Sequence, residues 1–305
     1  MLSLAIFAVY RQTLVAFDLL SVSSMSSSQI LALSCPDRPG IVAAVTGLLQ
    51  SAGGNITEAQ QYNDPQSDMF FMRVAFDIDD PLAFRGAFDT LSKSFNMDWR
   101  LRDASRAKRV LILVSKFDHC LVDLLYRTRL GELDMDIVGI VSNHPRDALR
   151  ISNLHGAPFY HLPITKSTKA DQEARIDALI EETDTEIVVL ARYMQILSDD
   201  LTHRLIGRCV NIHHSFLPGF KGARPYHQAH RRGVKMIGAT AHFVTPDLDE
   251  GPIIVQGVEP ITHADTAARL VAKGRSIEQR VLSRAVKALI EDRVFLNGAR
   301  TVVFD

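Results

Sequence analysis

VLILVSKFDHCLVDLLYRTRLGELDMDIVGIVSN, residues 110–143, decides the fold. VLILVS has no polar alternation, so it predicts a strand covered on both faces. HCLVDLLYRTRLGEL carries apolar residues at helical spacing, and MDIVGIVSN predicts a second buried strand. Downstream the alternation continues: a helix around PRDALRISNLHG, a short strand PFYHLP, a helix KADQEARIDALIEETD, then TEIVVLARYM and RCVNIHH as strands. Strands alternating with helices in this way predict a doubly wound, mostly parallel α/β sheet. Ligands of such sheets bind at the carboxyl ends of the strands.

Upstream, QILALSC predicts a strand and PDRPGIVAAVTGLLQSAGG a turn and helix, with Pro39 in the first helical turn. NITEAQQYND and DMFFMRVAFDI predict a hairpin through Asp64-Pro65. PLAFRGAFDTLSKSFN predicts a second helix and MDWRLRD a closing strand. The order is βαββαβ, a ferredoxin-like split βαβ sheet. Its Cys-Pro-Asp-Arg-Pro-Gly-Ile-Val opening resembles an ACT domain. That resemblance implies a small-molecule, amino-acid effector near Asp37, Arg38, Pro39 and Gly40, and side-by-side pairing into a homo-oligomer. The residues alone also allow a capping role for Asp37. ASRAKR (104–109) predicts the linker. The expected division is an extension over 1–27 outside the fold, an ACT domain over 28–105 and a catalytic domain over 106–305.

Composition narrows the function classes. A net charge of −1 without a basic run argues against nucleic acid as a partner. Arg204, Arg208, Lys221, Arg224, Arg231, Arg232 and Lys235 form either a solvated face or a pull on an anionic ligand. Cys35, Cys120 and Cys209 show neither zinc spacing nor a disulfide framework, so a reducing, cytoplasmic setting is expected. In residues 1–25, Arg11 and Asp18 interrupt the apolar run, which predicts no membrane span; the serines around Met25 suggest that the folded chain starts there.

Chemistry concentrates in NIHHSFLPGFKGARPYHQA (211–229) and GATAHFVTPDLDEGPIIVQ (238–256). On a strand, Asn211 and His213 share a side. An amide and an imidazole there can donate to a carbonyl oxygen gaining charge. Asp247, Asp249 and Glu250 sit in a turn before Gly251. Taken singly, a strand-end histidine and an acidic turn have purely structural readings as well.

Together the two stretches resemble the formyltetrahydrofolate-dependent formyltransferase family over about residues 108–260. The resemblance implies catalysis by Asn211, His213 and Asp249, without metal, bound cofactor or covalent intermediate. Asn211 and protonated His213 would stabilise the oxyanion, with Asp249 relaying protons. LARYMQIL (190–197) resembles the family's pterin-pocket segment, so Arg192, Met194, Ile196 and Leu197 are expected substrate contacts, as is Gly251 after the acidic turn; core packing is the other reading of the apolar ones. His242 is either a supporting partner or structural.

VSKFDHCLVDLL (114–125) departs from the phosphate-binding members, whose first strand runs into a glycine-rich loop. It has no glycine, and Phe117, Asp118 and His119 are ill suited to a phosphate. Water then becomes the expected acceptor. The two-domain layout resembles the deformylase branch of the family, which hydrolyses 10-formyltetrahydrofolate to tetrahydrofolate and formate. A formyltransferase using an amine acceptor and a non-catalytic sensor are the alternatives. The amphipathic segment from Ser276 and the hairpin through Asn297-Gly298 are expected only to pack against the sheet.

Overall fold

The computed structural model describes residues 26–219 and 225–305. The expectations for residues 1–25, Lys221 and Arg224 fall outside the described residues.

β1 (Ser27–Pro36), α1 (Ile41–Ser51), β2 (Asn55–Asp64), β3 (Met69–Ile78), α2 (Pro81–Phe95) and β4 (Asp98–Asp103) form the expected βαββαβ unit. Its antiparallel sheet has the order β2-β3-β1-β4. Ser27, expected in the extension, pairs with Ile78. Pro39 lies in the turn before α1, because Gly40 adopts φ 95° and delays the helix to Ile41.

Alternation along β3 sets the packing on both faces of this sheet. Phe70, Met72, Val74, Phe76 and Ile78 join the core under the two helices. Phe71 points the other way, against Phe295, with ring centroids 5.8 Å apart. On that second face Arg73 meets Glu58 at 3.0 Å and donates to the Glu291 carbonyl at 2.9 Å.

The larger unit contains β5 (Lys108–Val114), α3 (His119–Arg129), β6 (Met135–Ser142), β7 (Phe159–His161), α4 (Lys169–Glu182), β8 (Ile187–Leu190) and α5 (Asp199–Arg204). It continues with β9 (Cys209–His213), α6 (Pro225–Arg232), β10 (Met236–Phe243), β11 (Ile253–Pro260), α7 (Ala267–Ile290), β12 (Val294–Asn297) and β13 (Arg300–Val303). Seven strands pair in the order β11-β10-β9-β8-β5-β6-β7. Neighbours from β9 to β7 are parallel, whereas β10 runs antiparallel to β9 and β11.

The unbroken apolar run of β5 now has its reason. Val110, Ile112 and Val114 face the cluster containing Leu121, Leu124 and Val281. Leu111 and Leu113 face the cluster containing Ile176, Leu179 and Ile180. The chain leaves β5 toward β6 and β7, then returns to add β8 on the opposite side. The switch in direction opens a crevice at the carboxyl ends of β5 and β8.

The helix expected around residues 145–156 is a single 3-10 turn, Arg146–Ala148. Asp118 accounts for the difference: its Oδ2 accepts the amides of Arg150 and Ile151 at 2.7 and 2.9 Å, taking donors a helix would need. α7 begins at Ala267, earlier than the Ser276 expected, where the Thr266 hydroxyl accepts from the Arg269 amide. Among the described residues, no helix is long and apolar enough to cross a membrane.

Candidate active site

β9 and β10 build the centre of the site. Antiparallel register pairs Asn211 with His242 and His213 with Thr240. Opposed residues share a face, and Asn211 Nδ2 lies 3.2 Å from His242 Nε2. His242 Nδ1 lies 2.8 Å from the Phe243 carbonyl, which can only accept. The proton therefore sits on Nδ1, and Nε2 accepts from the Asn211 amide. Burial lowers the His242 pKa, which keeps this ring neutral. The second N–H of the Asn211 amide has no hydrogen bond among the described residues.

His213 Nδ1 donates to Asp249 Oδ1 across 3.1 Å, and both side chains are buried. Burial alone would raise the Asp249 pKa; the hydrogen bond from His213 and the neighbouring imidazoles outweigh it and hold the carboxyl below its usual range. His213 Nε2 is buried without a hydrogen-bond partner among the described residues. Its ring thus presents one free nitrogen beside an ionised carboxylate. His214 is a different case: burial and the Arg192 charge push its pKa down to about 3, so it is neutral.

Local geometry fixes Asp249. It adopts φ 59°, a left-handed conformation that aspartate tolerates better than most residues. Two residues on, a Cβ on Gly251 would stand 1.8 Å from the Phe243 carbonyl oxygen. Only glycine permits this approach, which draws the Asp249 turn against the end of β10. Gly251 thus packs on the strand that carries His242; the lining of the neighbouring cavity comes from other residues.

That cavity, of about 240 Å³, is lined by Arg192, Met194, Ile196, Leu197, Asn211, His213, His242, Leu248 and Asp249, among others. Whole drug-sized ligands usually occupy about 300–1,000 Å³, so only part of a large ligand enters. Met194, Ile196 and Leu248 are exposed at its rim. Ser115, which no sequence signal marked, steadies this wall: its hydroxyl accepts from the Met194 amide at 3.0 Å and donates to Asn143 Oδ1 at 2.6 Å. The loop after β9 is tied down by Thr240, whose Oγ1 donates to the Ser215 carbonyl and accepts from the Leu217 amide. Gln256 adds a bond from Nε2 to the Leu217 carbonyl.

A second cavity, of about 350 Å³, adjoins the first and shares Arg192, Met194 and His214 with it. Glu278 of α7 lies at its base, almost wholly buried. Its carboxylate accepts from Tyr226 Oη and pairs with His119 Nε2, both at 2.8 Å. Arg192 Nε stands 3.3 Å away, a charge contact too poorly aligned for a hydrogen bond. The α7 segment expected only to pack therefore also carries charge to the site. A glutamate between Ile277 and Val281, on an apolar helical face, is the sequence signal that could have found it. His119, Cys120 and Glu278 bring donor atoms within 4.8 Å of one another. Both Glu278 oxygens are already engaged, however, so the group reads as a hydrogen-bond network.

The Asp37–Gly40 loop lies apart from both cavities and is exposed. Asp37 Oδ2 accepts from Asn63 Nδ2 at 2.8 Å. The Arg38 guanidinium stacks 4.3 Å from the centre of the Phe95 ring and donates to the Ser94 carbonyl.

Sheet order and site together define a formyltransferase-fold protein with an ACT domain in front. The formyl transferase family profile matches residues 108–286, and the ACT domain profile residues 29–85. A formyltetrahydrofolate deformylase of Corynebacterium sp. (strain P-1) is 51% identical over 278 residues, covering 90% of this chain and 97% of its own. The crystal structure of formyltetrahydrofolate deformylase from Burkholderia mallei superposes with a TM-score of 0.88 at 54% identity, over 92% of this chain and all of that one. Phosphoribosylglycinamide formyltransferase from Anaplasma phagocytophilum, 28% identical, superposes with a TM-score of 0.59 over 66% of this chain and 96% of its own. The chain belongs to the formyltetrahydrofolate deformylase family of enzymes.

Proposed function

We propose that this enzyme hydrolyses 10-formyltetrahydrofolate to tetrahydrofolate and formate, with Asn211, His213 and Asp249 as catalytic residues. The pterin head enters the smaller cavity between Met194, Ile196 and Leu197. Arg192 contributes charge to its wall, and Gly251 acts indirectly, by seating the Asp249 turn. The free Asn211 N–H and protonated His213 Nε2 donate to the formyl oxygen as the carbon becomes tetrahedral. Asp249 takes a proton from the attacking water. The C–N10 bond then breaks, N10 receives that proton, and the formic acid released ionises to formate. No bound cofactor or metal has a part in this scheme.

One observation favours water over another acceptor: the segment that follows β5. It has no glycine, Phe117 lies under the Arg192 guanidinium at 5.7 Å, and Asp118 is committed to two backbone amides. Bulky side chains and a carboxylate in this segment disfavour the close backbone approach that a phosphate needs. The adjoining cavity supports a second reading, transfer of the formyl group to an amine. Formate release measured with and without phosphoribosylglycinamide separates the two: hydrolysis needs no acceptor, and transfer does.

The same reading takes residues 28–105 as the regulatory unit and 106–305 as the catalytic one. It gives the first unit an amino-acid effector at the Asp37–Gly40 loop, a role in self-association, and the whole enzyme a cytoplasmic setting. The ACT profile supports the effector and the pairing.

A further inference from the structure

The second cavity holds a buried guanidinium, that of Arg192, whose charge is already answered from within. Arg192 and His119 both line it, and both meet the Glu278 carboxylate, as does the Tyr226 hydroxyl. Glu278 comes from α7, where Gly274 makes the contact possible: a Cβ there would stand 2.1 Å from the Tyr226 ring. Removing Glu278 would leave a buried guanidinium beside an imidazole in a cavity open to solvent. That arrangement attracts anions strongly, because buried charge is weakly screened.

We propose that Glu278 is a built-in counter-anion that closes the second cavity to phosphorylated acceptors and so commits the site to water. It acts as a positioning and specificity residue, through Arg192 and His119, without touching the reacting atoms. The assignment rests on the hydrolytic reading and gives that reading its cause on the acceptor side. Burial would raise the Glu278 pKa; the His119 hydrogen bond and Arg192 outweigh it, keeping the carboxylate charged at neutral pH. Arg192 Nε and Nη1 are buried without hydrogen-bond partners among the described residues. Such atoms in a roomy polar cavity are natural partners for water. Arg275 also lines this cavity, so neutralising Glu278 leaves two guanidinium groups with no carboxylate among the described lining residues.

The test is inorganic phosphate binding to the full-length protein, followed by calorimetry and by phosphorus NMR. Wild type is expected to bind phosphate negligibly at this site. Glu278→Gln, which keeps size and one accepting oxygen but not charge, is expected to bind at least tenfold more tightly and to become phosphate-inhibited in formate release. Tyr226→Phe, which removes a hydrogen bond and leaves the charge, is expected to stay insensitive. If Glu278→Gln does not fold, Val271→Lys adds a cation to the same cavity with Glu278 in place and is expected to give the same gain. A variant that folds without gaining phosphate affinity overturns the proposal, as does tight phosphate binding by wild type in this cavity. Binding is read without turnover, so failure of the hydrolytic reading would show separately, as absent formate.

Discussion

Asp249 Oδ1 lies 3.1 Å from His213 Nδ1 and 3.8 Å from His242 Nε2, and the two contacts differ in kind. The first is a hydrogen bond into a carboxylate. The second sets a carboxylate against a ring nitrogen whose lone pair already accepts from Asn211. His242 thus makes no ion pair while neutral; it aims the Asn211 amide. Its pKa is lowered by burial, against a weaker pull from the Phe243 carbonyl and Asp249. Nitrogen NMR of the imidazoles is expected to show His242 as the Nδ1–H tautomer, titrating below the ordinary histidine value of about 6.5. An Nε2–H tautomer, or a midpoint above that value, would contradict this arrangement.

Asn211→Ala and His213→Asn each remove one oxyanion donor. Each is expected to lower kcat by on the order of a hundredfold, about 3 kcal/mol, with a smaller change in KM. A rise in KM at unchanged kcat would assign these residues to uniform substrate binding instead.

Gly251→Ala forces a methyl group into the Phe243 carbonyl, so the Asp249 turn must move away from β10. The expected result is a loss of turnover comparable to direct removal of Asp249, with folate binding less affected. A variant with wild-type kcat would show that the turn tolerates displacement.

Asp292 ties the two units together. It meets Arg100 at 2.9 Å, Arg102 at 2.7 Å and Lys108 at 3.5 Å, and is buried. Burial would raise its pKa; the Arg100, Lys108 and Arg102 charges outweigh that and lower it. A carboxyl with a lowered folded pKa contributes stability above its unfolded pKa of about 4, and loses it as pH falls through the folded value. Asp292→Asn is therefore expected to cost about 3 kcal/mol near neutral pH and progressively less toward pH 3. Urea unfolding at both pH values checks this. An equal loss at both would remove the electrostatic explanation.

Much of this was legible in the sequence because it rests on local pattern. The apolar run at 110–114 announced a doubly covered strand, and the Asn211–His213 spacing placed both residues on one side. Boundaries were less legible: Asp118 captured backbone amides where a helix was expected near residue 146, and the left-handed backbone of Gly40 delayed α1. The supporting members of the site were least legible. His242 meets Asn211 only through strand register, and Ser115 reaches Met194 only through the β5–β8 crossover. Glu278 lies 86 positions from Arg192, and only folding brings the two together.

The most direct test of the central claim is formate release from 10-formyltetrahydrofolate by purified protein with no acceptor added, beside Asp249→Ala. The account predicts stoichiometric formate and tetrahydrofolate from wild type, and a rate at least a hundredfold lower from the variant. Wild type that releases formate only when an amine acceptor is supplied would contradict it.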